Sequence, residues 1–386
     1  MFKLKCSKCF PLVIICIALA CSVYIYSSIY LKEWKIWKEF HTLNIITTKK
    51  LLIQTSPFTF FITKNDSRIT KNINDDVMVT KINDKVTDYK QDPLQDPTFL
   101  TIACNYGRLG NQMFTYASLL GLSKMNKRTP YAPKCNMDTV RRYFKVTAAE
   151  ISDLSKQNRS EYPLGPYFRP KDAHIPKDKN ILTGYAYPNS FTFFDRFRDE
   201  IRKEFQFKES IISYAQTYLH SLKNVTRSDV TFVGIHVRRT DYCKWLQNYY
   251  GRQVNMMYFK QAIEYFQLKY SRVIFVVVSD DRGWCKRKLG IWPNVFVAPE
   301  QTDSAHDMAL MSQCNHTIMT YGSFGFWCSY LAGGETIYFD EYIAPNSSFL
   351  IDHLPFNETF LPNWIGISAK TDNFWNEFET DGNCTE

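Results

Sequence analysis

Val233-Gly-Ile-His-Val-Arg-Arg-Thr-Asp-Tyr242 is the stretch whose reading decides the fold. An apolar, β-branched run (Val230, Phe232, Val233, Ile235, Val237) stops at two adjacent arginines and an aspartate. A run without polar alternation reads as a strand buried on both faces of a parallel sheet. Open α/β sheets place ligands beyond the carboxyl ends of such strands. Two guanidiniums there suit a pyrophosphate, since arginine offers donors in a fixed fork and keeps its charge. His236 can donate a hydrogen bond or exchange a proton, and Asp241 can orient an arginine or accept a proton. A surface ion pair at a strand end is the competing reading for an isolated pair of arginines.

The residues that follow extend the pattern. Met256–Tyr270 reads as a helix. Arg272–Ser279 is a second strong parallel strand, ending at Ser279-Asp-Asp281, where Asp281 is placed to cap a short helix to Leu289. Asn294–Val297 is a short strand and Ala305–Cys314 a helix. Thr317–Thr320 is a strand that runs into Tyr321-Gly-Ser-Phe-Gly-Phe-Trp327, which opens a further helix. Gly333-Gly334 ends that helix before a strand at Thr336–Phe339. Strands alternating with helices predict a doubly wound α/β sheet. Three strand ends then carry polar loops: Arg238 to Asp241, Ser279 to Asp281, and Thr320 to Ser323. The joint reading is a nucleotide site. The arginines hold a diphosphate, Asp280 accepts from a ribose hydroxyl or a base amino group, and Gly322 and Ser323 offer a helix N-terminus. No G-x-x-x-x-G-K-[ST] loop and no D-x-D triplet occurs, which favours a nucleotide sugar over ATP and a site without a dedicated metal.

Upstream, Phe99-Leu-Thr-Ile-Ala103 predicts a strand, followed by a turn bearing Gly107, Arg108 and Gly110 and then a helix through Leu122. This order exposes backbone N–H groups to an anion. Residues 126–229 give little beyond a short strand or turn at Pro130–Pro133, helical spacing from Asp195 to Phe207, and many aromatics. No acceptor site is readable there.

Composition excludes one large class. The net charge of +9 over 386 residues is spread out: +3 in residues 1–31, +2 in 32–97 and +4 in the remainder. A folded part so nearly neutral argues against a nucleic-acid surface. From Cys9 to Leu31 no residue is charged, a run long enough to cross a bilayer as a helix. Lys3, Lys5 and Lys8 precede it, which puts residues 1–8 on the cytoplasmic side and the rest across the membrane. A cleaved signal peptide at Ala18-Leu-Ala20 competes, but the apolar run continues past it. The expected organisation is tail 1–8, signal-anchor helix 9–31, stem 32–97, N-terminal catalytic part 98–229, C-terminal Rossmann-like part 230–365 and tail 366–386. The chain carries 11 cysteines, seven of them beyond the anchor, so at least one of those seven is unpaired or pairs outside the set. Asn65, Asn158, Asn224, Asn346, Asn357 and Asn383 head candidate N-glycosylation sequons. Asn315 heads a seventh, discounted as buried at the start of an apolar run.

Four segments together, Gly107-Arg-Leu-Gly-Asn-Gln-Met-Phe114, His236 to Tyr242, Ser279-Asp-Asp281 and Tyr321 to Trp327, resemble the successive motifs of the α1,2-fucosyltransferases, glycosyltransferase family 11. The resemblance covers about residues 98 to 365. It implies a GT-B-like fold with GDP-fucose held by the C-terminal half, and no essential metal or other cofactor. It also implies inverting transfer to the 2-hydroxyl of a terminal galactose and a type II Golgi membrane protein. By motif, Arg238 would contact the β-phosphate, Asp280 the guanosine, and Ser323 and Phe324 the diphosphate side. The donor-binding set so drawn is Gly107, Arg108, Gly110, Asn111, Gln112, Asp280, Asp281, Tyr321, Gly322, Ser323 and Phe324. Arg238, Arg239, Asp241 and His236 are the catalytic candidates. The base stays open between Asp241 and His236. Expected partners are GDP-fucose, a galactose-terminated glycan and the bilayer. The rival readings are another fucosyl linkage, such as α1,6, and a membrane-anchored glycan-binding protein without turnover.

Overall fold

The computed structural model describes residues 96–152, 160–184, 187–226, 229–249, 251–301, 303–340, 342–343, 347 and 356–368. The expected anchor at 9–31, all but the last two residues of the stem, and Asn65, Asn158, Asn346 and Asn383 lie outside these. Among the described residues no helix is long and apolar enough to cross a membrane.

Val273–Ser279 is buried at all seven positions, as its unbroken apolar sequence demands. It is β7 of a six-stranded sheet that also holds β6 (Thr231–Val237), β8 (Val295–Val297), β9 (His316–Met319), β10 (Thr336–Phe339) and β11 (Ile365–Ile367). The order is β11-β10-β9-β6-β7-β8 and every pairing is parallel. A second parallel sheet, ordered β3-β2-β1-β5-β4, is built from β1 (Phe99–Ile102), β2 (Thr129–Pro133), β3 (Ala149–Ile151), β4 (Glu161–Leu164) and β5 (Ile181–Gly184). Each sheet runs outward from one strand and then returns to its other side. The direction reverses between β6 and β9 in one sheet and between β1 and β5 in the other. Such switch points leave a crevice at the strands' carboxyl ends.

Among the described residues the α-helices are α1 (Leu109–Met125), α2 (Lys134–Tyr143), α3 (Arg198–Glu204), α4 (Glu209–Thr226), α5 (Tyr242–Asn248), α6 (Met256–Lys269), α7 (Arg282–Lys288), α8 (Ser304–Ser312), α9 (Gly322–Ala332) and α10 (Phe356–Thr359). α1 is buried on nearly every face, which suits its small and apolar residues. It packs on α9, so these two helices join the sheets. Phe114 of α1 meets Phe326 and Trp327 of α9 at ring distances of 4.7 and 5.1 Å. Phe194 stacks on Trp327 at 5.4 Å and Phe205 meets it edge-on at 4.9 Å. Phe193, Phe194 and Phe205 of the poorly readable middle segment are thus core.

Local chemistry sets the helix ends. Asp281 caps α7 by accepting from Trp284 N at 2.9 Å, as expected. Gly333 ends α9 at φ +75°, a left-handed conformation that glycine adopts without strain. Cys104 and Cys135 form a disulfide across 31 residues, tying the end of β1 to α2. Cys243 is also disulfide-bonded, whereas Cys285, Cys314 and Cys328 are free and buried. Asn224 and Asn357 are exposed. Asn315 is exposed too, contrary to expectation: it sits at the lip of β9, where its Oδ1 accepts from Phe232 N at 2.9 Å.

Candidate active site

β6 pairs with β7 and β9 in register, and this places three loops side by side. Arg238 follows β6, Asp280 follows β7 and Tyr321 to Ser323 follow β9. All line one cavity of about 1070 Å³, together with Arg108, Gly110 and Asn111 from the turn after β1. The three strand ends read from the sequence therefore converge, and the glycine turn of the other sheet joins them.

Arg238 is held from several sides. Its backbone N–H donates to Thr320 Oγ1 at 3.1 Å. Its Nη1 lies 2.9 Å from Asp280 Oδ2, and its Nη2 donates to Asp241 Oδ1. Three of its five N–H donors remain, and the side chain keeps 22% exposure. Asp280 is braced in turn: Arg239 N donates to its Oδ1 at 2.9 Å and Thr240 Oγ1 to its Oδ2 at 2.6 Å. Asp280 thus organises the arginine loop as well as facing the cavity. Asp241 shares its second oxygen with Arg108, 2.5 Å away. That ion pair links the turn after β1 to the loop after β6 across the mouth. Both partners are half exposed or more, so it holds weakly.

Arg239 departs from the expected role. It is 9% exposed and does not line the cavity. Its guanidinium lies 4.1 Å from the centre of the Trp284 ring, with Nε 3.5 Å from Asp281 Oδ2. The alternation along an extended chain turns neighbouring side chains apart, so one arginine faces the cavity and the other anchors the loop on α7. Asp281 is accordingly a cap and an anchor outside the cavity. Gln112 is also displaced from the predicted set. It is buried, donating to Asn105 O and Oδ1 at 2.9 Å each and accepting from Asn136 Nδ2. It fixes the shape of the turn from within. Gly107 is absent from the cavity lining; a Cβ there would lie 2.8 Å from the Tyr187 ring.

Gly110 explains why its motif and the one after β9 occur together. A Cβ on Gly110 would stand 2.8 Å from Ser323 C and Oγ and 2.9 Å from Phe324 N. Trp327 Nε1 donates to Gly110 O at 3.0 Å. Only glycine lets the start of α1 press against the start of α9. Gly322, at φ +87°, makes the turn that aims the α9 N-terminus at the cavity. Free N–H groups and the helix dipole there favour an anion. Tyr321 is fully buried, stacked on Tyr242 at 4.7 Å.

His236 lines the cavity from β6 at 4% exposure. Burial lowers its imidazole to about 4, with Asp280 opposing and Arg238 reinforcing the drop. It is therefore neutral at physiological pH. Its Nδ1 is buried without a partner, packed where a Cβ on Gly325 would lie at 2.6 Å. Arg282 was missed by sequence reasoning. It lines the cavity beside Ser279 and forms a buried pair with Asp307, donating to both carboxylate oxygens at 2.7 Å. Burial raises the Asp307 carboxyl and Arg282 opposes it. An Asp307 in the first turn of α8 was visible; its partner was not, because nothing in sequence spacing couples α7 to α8. Among the described residues no group of three or more His, Cys, Asp or Glu gathers as metal ligands do.

The sequence profile of glycosyl transferase family 11 matches residues 68–368. The chain belongs to that family. Bovine galactoside alpha-(1,2)-fucosyltransferase 2 is 40% identical over 269 residues, a match covering 68% of this chain and 77% of the relative. Bovine galactoside 2-alpha-L-fucosyltransferase SEC1 is 37% identical, covering 68% and 73%. The solved fucosyltransferase NodZ from Bradyrhizobium superposes with a TM-score of 0.40 at 15% identity, over 60% of this chain and 92% of that one. As a family 11 member this chain is a glycosyltransferase.

Proposed function

We propose that this chain is an inverting galactoside 2-α-L-fucosyltransferase, moving L-fucose from GDP-fucose to the 2-hydroxyl of a terminal galactose. The observation that carries the reading is the placement of Arg238 opposite the α9 N-terminus at the switch point of the six-stranded sheet. A leaving GDP gains negative charge on its β-phosphate, and preorganised donors are most effective where charge develops. Arg238 and the first N–H groups of α9 supply them. Asp280 and Asp241 hold the guanidinium so that no reorganisation is needed at the moment of transfer. The C1–O bond to GDP breaks with its electron pair leaving on the phosphate, the acceptor oxygen bonds to C1 from the opposite face, and the acceptor proton departs late. Of the two candidate bases, Asp241 has both oxygens engaged by arginines, whereas His236 is neutral. We assign the proton to His236, for which a weak base suffices once C1 is cation-like.

The two parallel sheets with facing switch points support a GT-B arrangement. The uncharged run at 9–31 supports a signal anchor, with residues 1–8 cytoplasmic, a stem to residue 97 and the catalytic part in the Golgi lumen. The test is direct: incubate the purified full-length protein with GDP-fucose and a β-galactoside, with and without EDTA, and read the linkage by NMR. An α1,2-fucosyl product that survives EDTA is expected. A different linkage would discard the acceptor assignment, and glycan binding without GDP-fucose turnover would discard the enzyme reading.

A further inference from the structure

The donor groups come from the loops after β6, β7 and β9 and from the turn after β1. A further wall of the cavity lies beyond β4 and β5. Leu164 at the end of β4, Pro166, and Tyr187 and Asn189 beyond β5 all line it. Both switch points bring a guanidinium and a helix N-terminus to this space, Arg238 with α9 and Arg108 with α1, but the stretches beyond β4 and β5 bring neither. Their character is the opposite: an aromatic ring, two apolar side chains and a carboxamide. That composition matches a neutral sugar, whose pyranose ring has an apolar C–H face and a rim of hydroxyls.

Three observations give this wall fixed geometry. Tyr187 packs against Gly107, with its Cε1 only 2.8 Å from where a Cβ would stand, so the ring is seated on the turn after β1. Asn189 N donates to Tyr187 O at 2.8 Å, and Ser190 Oγ donates to Glu358 O at 2.7 Å, tying the segment to α10. Asn189 Oδ1 is buried with no hydrogen-bond partner. A buried acceptor left unmet is unfavourable in the free protein and is relieved when a hydroxyl-bearing ligand closes over it. Just outside, Tyr106 is 98% exposed, two residues from the cavity-lining Arg108.

We infer that Tyr187 and Asn189 form the acceptor subsite: the Tyr187 ring stacks on the C–H face of the terminal galactose and the Asn189 carboxamide meets its hydroxyls. Tyr106 then offers a second ring to the next sugar of a longer glycan. This rests on the proposed fucosyl transfer, and it adds what sequence reading could not place.

The experiment is steady-state kinetics on the purified full-length protein with GDP-fucose and two acceptors, a simple β-galactoside and a disaccharide with terminal galactose. Tyr187→Ala and Asn189→Ala are expected to raise the KM for both acceptors tenfold or more, with the KM for GDP-fucose held within about twofold. Tyr187→Phe, which keeps the ring, retains near-normal acceptor KM. Tyr106→Ala raises KM for the disaccharide only. Thermal shift by GDP confirms that each variant is folded. An active wild type whose acceptor KM is unmoved by Tyr187→Ala, or moves in parallel with the GDP-fucose KM, overturns this inference alone. A wild type that transfers no fucose overturns the function and this inference with it.

Discussion

Gly110→Ala tests the junction on which the site depends. The added methyl would meet three atoms of α9 at 2.8–2.9 Å, two of them backbone atoms that cannot rotate away. Overpacking of this kind costs about 1–3 kcal/mol. Shifting α1 to relieve it weakens the Trp327 to Gly110 hydrogen bond, worth about 1 kcal/mol more. The sum of roughly 2–4 kcal/mol lowers the melting temperature of a domain this size by roughly 5–15 °C. The strain falls on Ser323 and Phe324, so donor binding suffers with it, and we expect the GDP-fucose KM to rise about tenfold, misplacement near ångström scale being enough. Calorimetry and initial-rate kinetics on the purified variant check both effects. A Gly110→Ala protein with wild-type melting and wild-type GDP-fucose KM would refute the claim that close approach of α1 to α9 shapes the donor site.

The other expectations are shorter. Arg238→Lys should lower kcat by about 100-fold with little change in melting, because a point charge replaces a fork aimed at developing charge. Arg239→Lys should do the reverse, losing thermal stability through Trp284 and Asp281 more than turnover; near-equal kcat losses in the two variants would contradict their separate placement. His236 titrates near 4 in the fold against 6.5 unfolded, so the unfolded chain binds the extra proton between those values. Stability from this group is fully present above pH 6.5 and falls by about 3 kcal/mol as pH drops to 4; urea titrations of wild type and His236→Asn at pH 4.5 and 7 should show the wild type losing more. Cys135→Ser should cost about 3–4 kcal/mol by opening a 31-residue loop, read as a lower urea midpoint than that of the wild type under oxidising conditions.

The C-terminal sheet was legible because its strands are long, apolar and bounded by glycine or charge. β6 and β7 stand within two residues of where their β-branched runs placed them. The first sheet was not, and the reasons are local. β3 has three residues, and β4 carries Pro163 on an edge strand where a missing donor is tolerated. α5 is short, and its apolar positions are diluted by polar ones; α4 was legible, since its buried Ile211, Ala215, Leu219 and Leu222 recur at helical spacing on the face that packs on α8, yet no helix was read there. The convergence of Arg238, Asp280, Gly110 and Ser323 on one cavity was legible from residue type beyond the strand ends. The split between Arg238 and Arg239 was invisible, since it depends on which face of the chain meets Trp284. Gln112 looked like a ligand because it stands in a motif, yet it serves the turn's interior. Asn315 looked buried because the residues after it are.

Many two-sheet proteins admit substrate by swinging one half away from the other, which requires an interface that parts at little cost. Here that route is costly. The Phe114, Phe194, Phe205, Phe326 and Trp327 rings interlock across it, and the indole of Trp327 is bonded to the very glycine that lets the helices touch. Prising the halves apart would wet an aromatic layer. The rim is the cheaper place to yield, since the exposed pairing of Arg108 with Asp241 swings clear at the cost of one weak ion pair.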